Sequence, residues 1–226
     1  MTTEIAIVDA SIGETPAERN LTRELDGSHV TTTIYPVSEG RFPPSAAGDA
    51  WRYDGVVISG SQTSVYDDES WIHELTAWAR DAHRADVPML GICWGHQLLA
   101  QALGGRVVDM GEYELGYRVV DRIGDDPLFA DVPASFTAFQ THSDRVAELP
   151  SGAVSQPPIT GSSTTCCVEV SRGSGDPSTA GVAVGARARI PPVGERAHGV
   201  PYVVPADVLL DSGMTITVAM VQIAGG

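Results

Sequence analysis

The sequence predicts an α/β protein built on an open, mostly parallel sheet with helices on both faces. Four short apolar runs, at residues 5–8, 30–37, 55–59 and 88–92, have the length and the β-branched content of buried strands. Helix signals lie between these runs, and strands that alternate with helices pack into a mostly parallel sheet covered on both sides. A glycine-flanked cysteine directly after the fourth run fits the same architecture.

Three helices are predicted around these strands. Residues 15–18 offer a threonine N-cap, a proline at the first helical position and a capping-box glutamate, which predicts a helix ending near Gly27. Ser70 is predicted to cap a second helix with one apolar face. A third helix is expected over residues 95–103, and the glycine pair 104–105 closes it.

The chain divides into two unlike parts at residue 150. Residues 1–150 carry 24 Asp and Glu against 10 Arg, whereas residues 151–226 carry 5 against 4. The first part forms the predicted domain, and its final third is β-rich, with candidate strands at 106–109, 117–123 and 135–140.

The tail, residues 151–226, is rich in Gly, Ser, Thr, Pro, Ala and Val, and shows no capped amphipathic helix. Its candidate strands are residues 200–204 and 215–221. Two interpretations stay open: a flexible appendage, or translation out of the native reading frame from near residue 155. A slipped reading frame would abolish the acidic bias of the sequence after the position of the slip, as is seen in the tail.

Composition restricts the partners. The chain has 29 acidic residues, 14 Arg and no Lys, which gives a net charge of −15. A surface this acidic argues against nucleic acid and against an anionic membrane as partners. It is typical of proteins from salt-loving organisms, where screening weakens self-repulsion. Because the sequence shows neither a signal peptide nor a run of ~20 apolar residues, a cytoplasmic location is expected.

The segment around Cys93 carries most of the functional information. Gly91 and Gly95 flank the cysteine between a buried strand and a helix, which is the layout of a nucleophile elbow. A nucleophile on such a turn needs small neighbours, because backbones crowd there. The following helix start is expected to favour the thiolate. The backbone N–H of Trp94 is expected to point to where an oxyanion would form.

Three segments together resemble the class I glutamine amidotransferases. The stretch 91–105, GICWGHQLLAQALGG, is similar to their nucleophile signature, closest to stand-alone members like the glutaminase part of GMP synthase. Residues 57–61 resemble the family's glycine loop, and residues 139–146 resemble its His-x-Asp segment. The resemblance covers about residues 4–150 and implies the flavodoxin-like fold of that family.

The resemblance also implies a site. Cys93 would attack the side-chain amide of glutamine, forming a thioester and releasing ammonia. Gly60 and Trp94 would supply the oxyanion-hole amides. The residues implied in substrate binding are Gln97, Thr141, His142 and Ser143.

One part of the family pattern is missing from this sequence. The catalytic base of the family is a histidine followed two positions later by glutamate, in a late His-Pro-Glu motif. After His142 the only histidine is His198, and no acidic residue stands two positions beyond it. The chain is therefore either misread in its tail or a relative that lacks the base.

Three functions remain open at this point. The first is a glutaminase subunit that supplies ammonia to a separate synthetase, since the sequence has no phosphate-cradling glycine loop of its own. The second is a γ-glutamyl hydrolase on the same fold, and the third is a non-catalytic relative. No cofactor and no metal is expected, because the adjacent Cys166 and Cys167 lack zinc-ligand spacing.

Overall fold

A computed structural model describes residues 2–13, 21–23, 25, 29–122, 135–151, 165–171, 182–189, 206–210 and 214–218. Within residues 116–122 and 135–141, and within the strands after residue 151, the description covers the backbone alone.

Four parallel strands form one half of an eight-stranded sheet, and they confirm the four strands predicted from the apolar runs. Their bounds are β1 Thr3–Asp9, β2 Val30–Pro36, β3 Gly55–Ile58 and β4 Met89–Gly91. The sheet order begins β2-β1-β3-β4, and each neighbouring pair is parallel. Because their carboxyl ends lie at one edge, the segments that follow β1, β3 and β4 meet there.

The other half of the sheet is antiparallel. Its strands are β5 Arg106–Arg122, β6 Ser135–Glu148, β7 Thr165–Ser171 and β8 Val182–Arg189, in the order β4-β7-β8-β5-β6. The β-rich part predicted after residue 106 is confirmed, but β5 is one long strand where two short ones were expected.

The tail contributes strands that the sequence did not predict. The strands β7 and β8 join the sheet, and β9 Ala206–Leu210 pairs separately with β10 Met214–Val218. The predicted strand at residues 215–221 overlaps β10, and the one at residues 200–204 falls outside the described residues. The division at residue 150 stays a prediction, as does the frame shift near residue 155.

Two long helices are described in full, α1 Ser70–Arg84 and α2 Trp94–Ala102. Glu69, not Ser70, is the N-cap of α1, and it makes no side-chain capping bond, so the predicted serine cap is wrong. The N–H groups of Ile72 and His73 instead bond to the backbone carbonyl of Glu69. Residues 21–23 and 25 are helical, within the predicted first helix, whose capping residues 15–18 lie outside the described residues.

Alternating side chains of the parallel strands fill both faces of the sheet. One cluster packs Ala6, Val8, Val56, Ile58 and Met89 against α1 and α2. On the same strands, the intervening side chains of Ile5, Ile7, Val57 and Leu90 are also buried. The helical residues Leu21 and Leu25 are buried outside the first cluster. Burial on both faces fits a parallel sheet covered on two sides.

No helix in the described part of the chain is long and apolar enough to cross a membrane.

Candidate active site

The predicted elbow is present at Cys93. β4 ends at Gly91 and α2 begins at Trp94, so the chain turns within two residues. Cys93 has φ 53° and ψ −108°, a left-handed conformation that a non-glycine residue rarely adopts. Such a conformation persists only where the surrounding structure holds it.

Two glycines make this turn possible. A Cβ on Gly91 would lie 2.5 Å from the backbone nitrogen of His96, and one on Gly95 would lie 2.4 Å from the carbonyl oxygen of Ile58. Both distances are far inside van der Waals contact, and both neighbours are backbone atoms. The expectation that only small residues fit at these positions is confirmed. The same contact with Ile58 brings the end of β3 against the start of α2.

The start of α2 is fixed by its tryptophan. The Trp94 side chain is fully buried and stacks on Trp71 of α1, with ring centroids 5.5 Å apart. The backbone N–H of Trp94 acts on the Cys93 thiol and lowers its pKa. The amide predicted to face a developing oxyanion therefore lies beside the sulfur.

The Cys93 thiol is reachable by solvent, but its surroundings favour the protonated form. Desolvation by the packed protein raises the pKa of the thiol; the Trp94 N–H lowers that pKa, and the negative charge of Asp144 raises it further. The net pKa is higher than that of an ordinary thiol because desolvation and the Asp144 charge act against the helix start. The N–H contribution has the expected sign but is outweighed.

Gln97 lies one helical turn beyond Cys93 and is buried. Its side-chain Nε2 donates a 3.0 Å hydrogen bond to the backbone carbonyl of Asp144 on β6. The substrate-binding role predicted for Gln97 remains a prediction, and in this structure its amide joins α2 to β6.

Asp144 joins β6 to the loop that follows β3. One carboxylate oxygen accepts a 2.6 Å hydrogen bond from Ser64, and the other accepts a 2.8 Å hydrogen bond from Tyr66. Asp144 is itself only 6% exposed. None of these three residues was predicted to have a role, although Asp144 is the acid of the recognised His-x-Asp segment.

The predicted residues on β6 do not share one face. His142 and Glu114 are opposite each other in the β5–β6 ladder, and His142 Nε2 lies 3.2 Å from a Glu114 oxygen. Successive strand residues point to opposite faces, so Ser143 points away from the side that carries His142 and Asp144. Thr141 belongs to β6, and its side chain lies outside the described part.

Gly60 begins the loop after β3 and is buried. The Ser59 hydroxyl accepts a 2.9 Å hydrogen bond from the N–H of Ala10 and donates a 2.9 Å bond to the carbonyl of Gly60. These bonds tie the predicted oxyanion loop to the end of β1. Whether the Gly60 amide serves the oxyanion hole stays a prediction.

His96 is buried in α2 as a neutral imidazole. Burial lowers its pKa to about 4, and its Nε2 has no hydrogen-bond partner among the described residues. Between pH 4 and 6.5 the unfolded chain therefore binds more protons than the folded one, so stability contributed at this position is present above pH 6.5 and is lost as the pH falls towards 4.

Because of His96, we expect the unfolding free energy of the protein to fall by about 3 kcal/mol as the pH is lowered from 6.5 to 4. Denaturant unfolding of the wild type and of His96→Leu across this range measures the effect. Subtracting the two profiles cancels the other titrating groups, and parallel profiles would contradict the assignment.

Among the described residues, no group of three His, Cys, Asp or Glu side chains is arranged to hold a metal ion. His198 and the side chains of Cys166 and Cys167 lie outside the described part.

A family model for glutamine amidotransferase class-I matches residues 14–182, roughly three quarters of the chain. The chain belongs to the class I glutamine amidotransferase family. Its fold agrees with solved relatives: a glutamine amidotransferase from Methylobacillus flagellatus is 24% identical with a TM-score of 0.55, covering 67% of this chain and 59% of that one. A Thermoplasma acidophilum protein described as part of a GMP synthase is 26% identical, with a TM-score of 0.53, covering 67% and 70%.

Curated relatives match a shorter segment. A glutamine-hydrolysing GMP synthase from Thermomicrobium roseum is 42% identical over 98 residues, and one from Staphylococcus aureus N315 is 37% identical over the same length. In both cases the match covers 43% of this amidotransferase chain and 18% of the relative. The chain thus spans less than a fifth of the length of these GMP synthases.

Proposed function

We propose that this chain is a glutaminase subunit that hydrolyses the side-chain amide of glutamine through Cys93. The observation that carries the proposal is the solvent-reachable sulfur on a left-handed turn, with the Trp94 N–H beside it. This combination suits an acyl-transfer nucleophile, which needs access, a fixed direction and a donor for the oxyanion.

The proposed reaction has two steps. The Cys93 thiolate attacks the amide carbon, the carbonyl oxygen becomes an oxyanion stabilised by the amides of Trp94 and Gly60, and ammonia leaves as the thioester forms. Water then attacks the thioester through a second oxyanion, and glutamate and the thiol are released. Gln97, Thr141, His142 and Ser143 are proposed to hold the amino-acid end of glutamine, with the β6 residues acting largely through their backbone.

The site lacks an assigned general base for proton transfer. The thiol must lose a proton and the leaving amine must gain one, and the sequence lacks the His-Pro-Glu motif that does this in the family. His142, which lies beside Glu114 of β5, offers another imidazole on the face of β6 that carries Asp144, but the resemblance assigns His142 to substrate binding. General acid–base catalysis is worth about 10²–10⁴-fold, so turnover is expected to be lower by that factor than in a relative with the motif.

The similarity to GMP synthases supports a synthetase as the partner that accepts the ammonia. A cytoplasmic location and a salt-adapted acidic surface belong to the same proposal, supported by the net charge of −15. The γ-glutamyl hydrolase and the non-catalytic relative stay as alternatives, the latter favoured by the missing motif.

An ammonia-release assay with glutamine tests the proposed activity. The wild type is expected to release ammonia slowly, and Cys93→Ala is expected to release none, while Cys166→Ala serves as the matched control that keeps activity. Faster release of glutamate from γ-glutamyl peptides than from glutamine would select the hydrolase. Absence of Cys93-dependent turnover, with and without a synthetase, would favour the non-catalytic relative.

A further inference from the structure

Three segments around Cys93 are joined to one another by side-chain hydrogen bonds. Gln101 Nε2 of α2 donates a 2.9 Å bond to the carbonyl of Val65 in the loop after β3. The same loop reaches β6 through Ser64, Tyr66 and the Asp144 carboxylate, and β6 returns to α2 through Gln97. The loop, the elbow helix and β6 therefore form a closed triangle of hydrogen bonds.

Asp144 contributes to two sides of this triangle. Its carboxylate oxygens each accept one hydroxyl bond, and its backbone oxygen accepts the Gln97 amide. Hydrogen bonds to a charged acceptor are stronger than those between neutral groups, by roughly twofold. Ser64 and Asp144 are 80 residues apart in sequence, so this contact fixes segments that the chain does not otherwise connect closely.

The loop held in this way is the one that begins with Gly60. Ser59 fixes the first peptide of the loop through the Gly60 carbonyl, and Ser64 fixes its far side four residues later. A loop bonded at both ends keeps its backbone amides in place without reorganisation during a reaction, which is what transition-state stabilisation requires.

We propose that Asp144 is a positioning residue of the glutaminase site, holding the loop after β3 against the elbow helix through Ser64 and Tyr66. This inference rests on the proposed function. Both carboxylate oxygens are occupied by protein hydroxyls, so the carboxylate acts on the loop and is not assigned to the substrate. Its charge also acts on Cys93, which is consistent with a place close to the sulfur.

Covalent labelling tests the inference independently of turnover. The chloromethyl ketone analogue of glutamine alkylates a thiolate with loss of chloride and needs an organised site, whereas iodoacetamide needs only a reactive thiolate. Rates are measured on the full chain by mass spectrometry of the Cys93 peptide, giving an inactivation constant and a half-saturation concentration for the analogue.

In the double variant Ser64→Ala/Tyr66→Phe, we expect the inactivation constant of the analogue to fall at least tenfold while the iodoacetamide rate changes less than threefold. Asp144→Asn is expected to lower the analogue rate similarly and to raise the iodoacetamide rate, because a negative charge near the thiol is removed. Ser64→Thr keeps the hydroxyl group and is expected to retain most of the wild-type rate of labelling by the analogue.

The control is the double variant Ser70→Ala/Tyr35→Phe. It also removes one serine and one tyrosine hydroxyl group, but from α1 and from the outer strand β2. It is expected to leave both rates unchanged. Analogue labelling in the Ser64/Tyr66 variant equal to that of the wild type would overturn the positioning role, as would equal losses with both reagents. Chloroacetone carries the same reactive group but lacks the amino-acid part of the analogue. If the wild type reacts with the glutamine analogue no faster than with chloroacetone, the proposed function is overturned, and the inference falls with it.

Discussion

The Gly95→Ala variant is expected to lose about 3 kcal/mol of unfolding free energy, together with labelling at Cys93. The added methyl group would lie 2.4 Å from the Ile58 carbonyl oxygen and 2.9 Å from that of Ser59. Both neighbours are backbone atoms of a central strand and its exit, so they cannot rotate away, and overpacking of this kind costs about 1–3 kcal/mol or more. Denaturant unfolding measures the loss.

Gly40→Ala is the matched control for this effect. Gly40 has φ 79° and open space around its Cα, so alanine there pays only for the left-handed backbone, about 1–2 kcal/mol. If Gly95→Ala is as stable as Gly40→Ala, and its Cys93 is still labelled, the packing described at the elbow is contradicted.

The reactivity of Cys93 towards iodoacetamide is expected to be lower than that of free cysteine at pH 7.5. Desolvation and the Asp144 charge raise the thiol pKa above its ordinary value, and only the thiolate reacts. The rate should therefore continue to rise, about tenfold per pH unit, through the pH at which free cysteine begins to level off. Alkylation quenched at set times, followed by peptide mapping, measures this rate at each pH.

The cysteines at positions 166 and 167 provide an internal comparison in the same sample. A Cys93 rate that has already reached its plateau at pH 7 would contradict the raised pKa. It would indicate instead that a cation outside the described residues pairs with the sulfur.

Much of the fold was predictable because its signals are local. The strands β1 and β4 are short apolar runs, and the elbow is encoded by two glycines around one cysteine within five residues. The serine cap of α1 was misassigned because Glu69, one residue earlier, takes the N-cap position with its backbone carbonyl. Neighbouring cap candidates cannot be separated by residue preference alone.

The missed features depend on contacts between distant segments. β8 has valine at positions 182 and 184 only, and its remaining residues are glycine, alanine and arginine, so its place follows from pairing with β5 and β7. The hydroxyl groups of Ser64 and Tyr66 find Asp144 about 80 residues away. The raised pKa of Cys93 likewise comes from packing and from that distant carboxylate, which outweigh the local helix start.

Mass-spectrometric mapping after treatment with the chloromethyl ketone analogue of glutamine tests the identity of the nucleophile most directly. We expect a single adduct carrying the mass of the glutamine skeleton on the Cys93 peptide, suppressed by excess glutamine and absent in Cys93→Ala. An unmodified Cys93 peptide, or an adduct confined to Cys166 and Cys167 and insensitive to glutamine, would contradict the account.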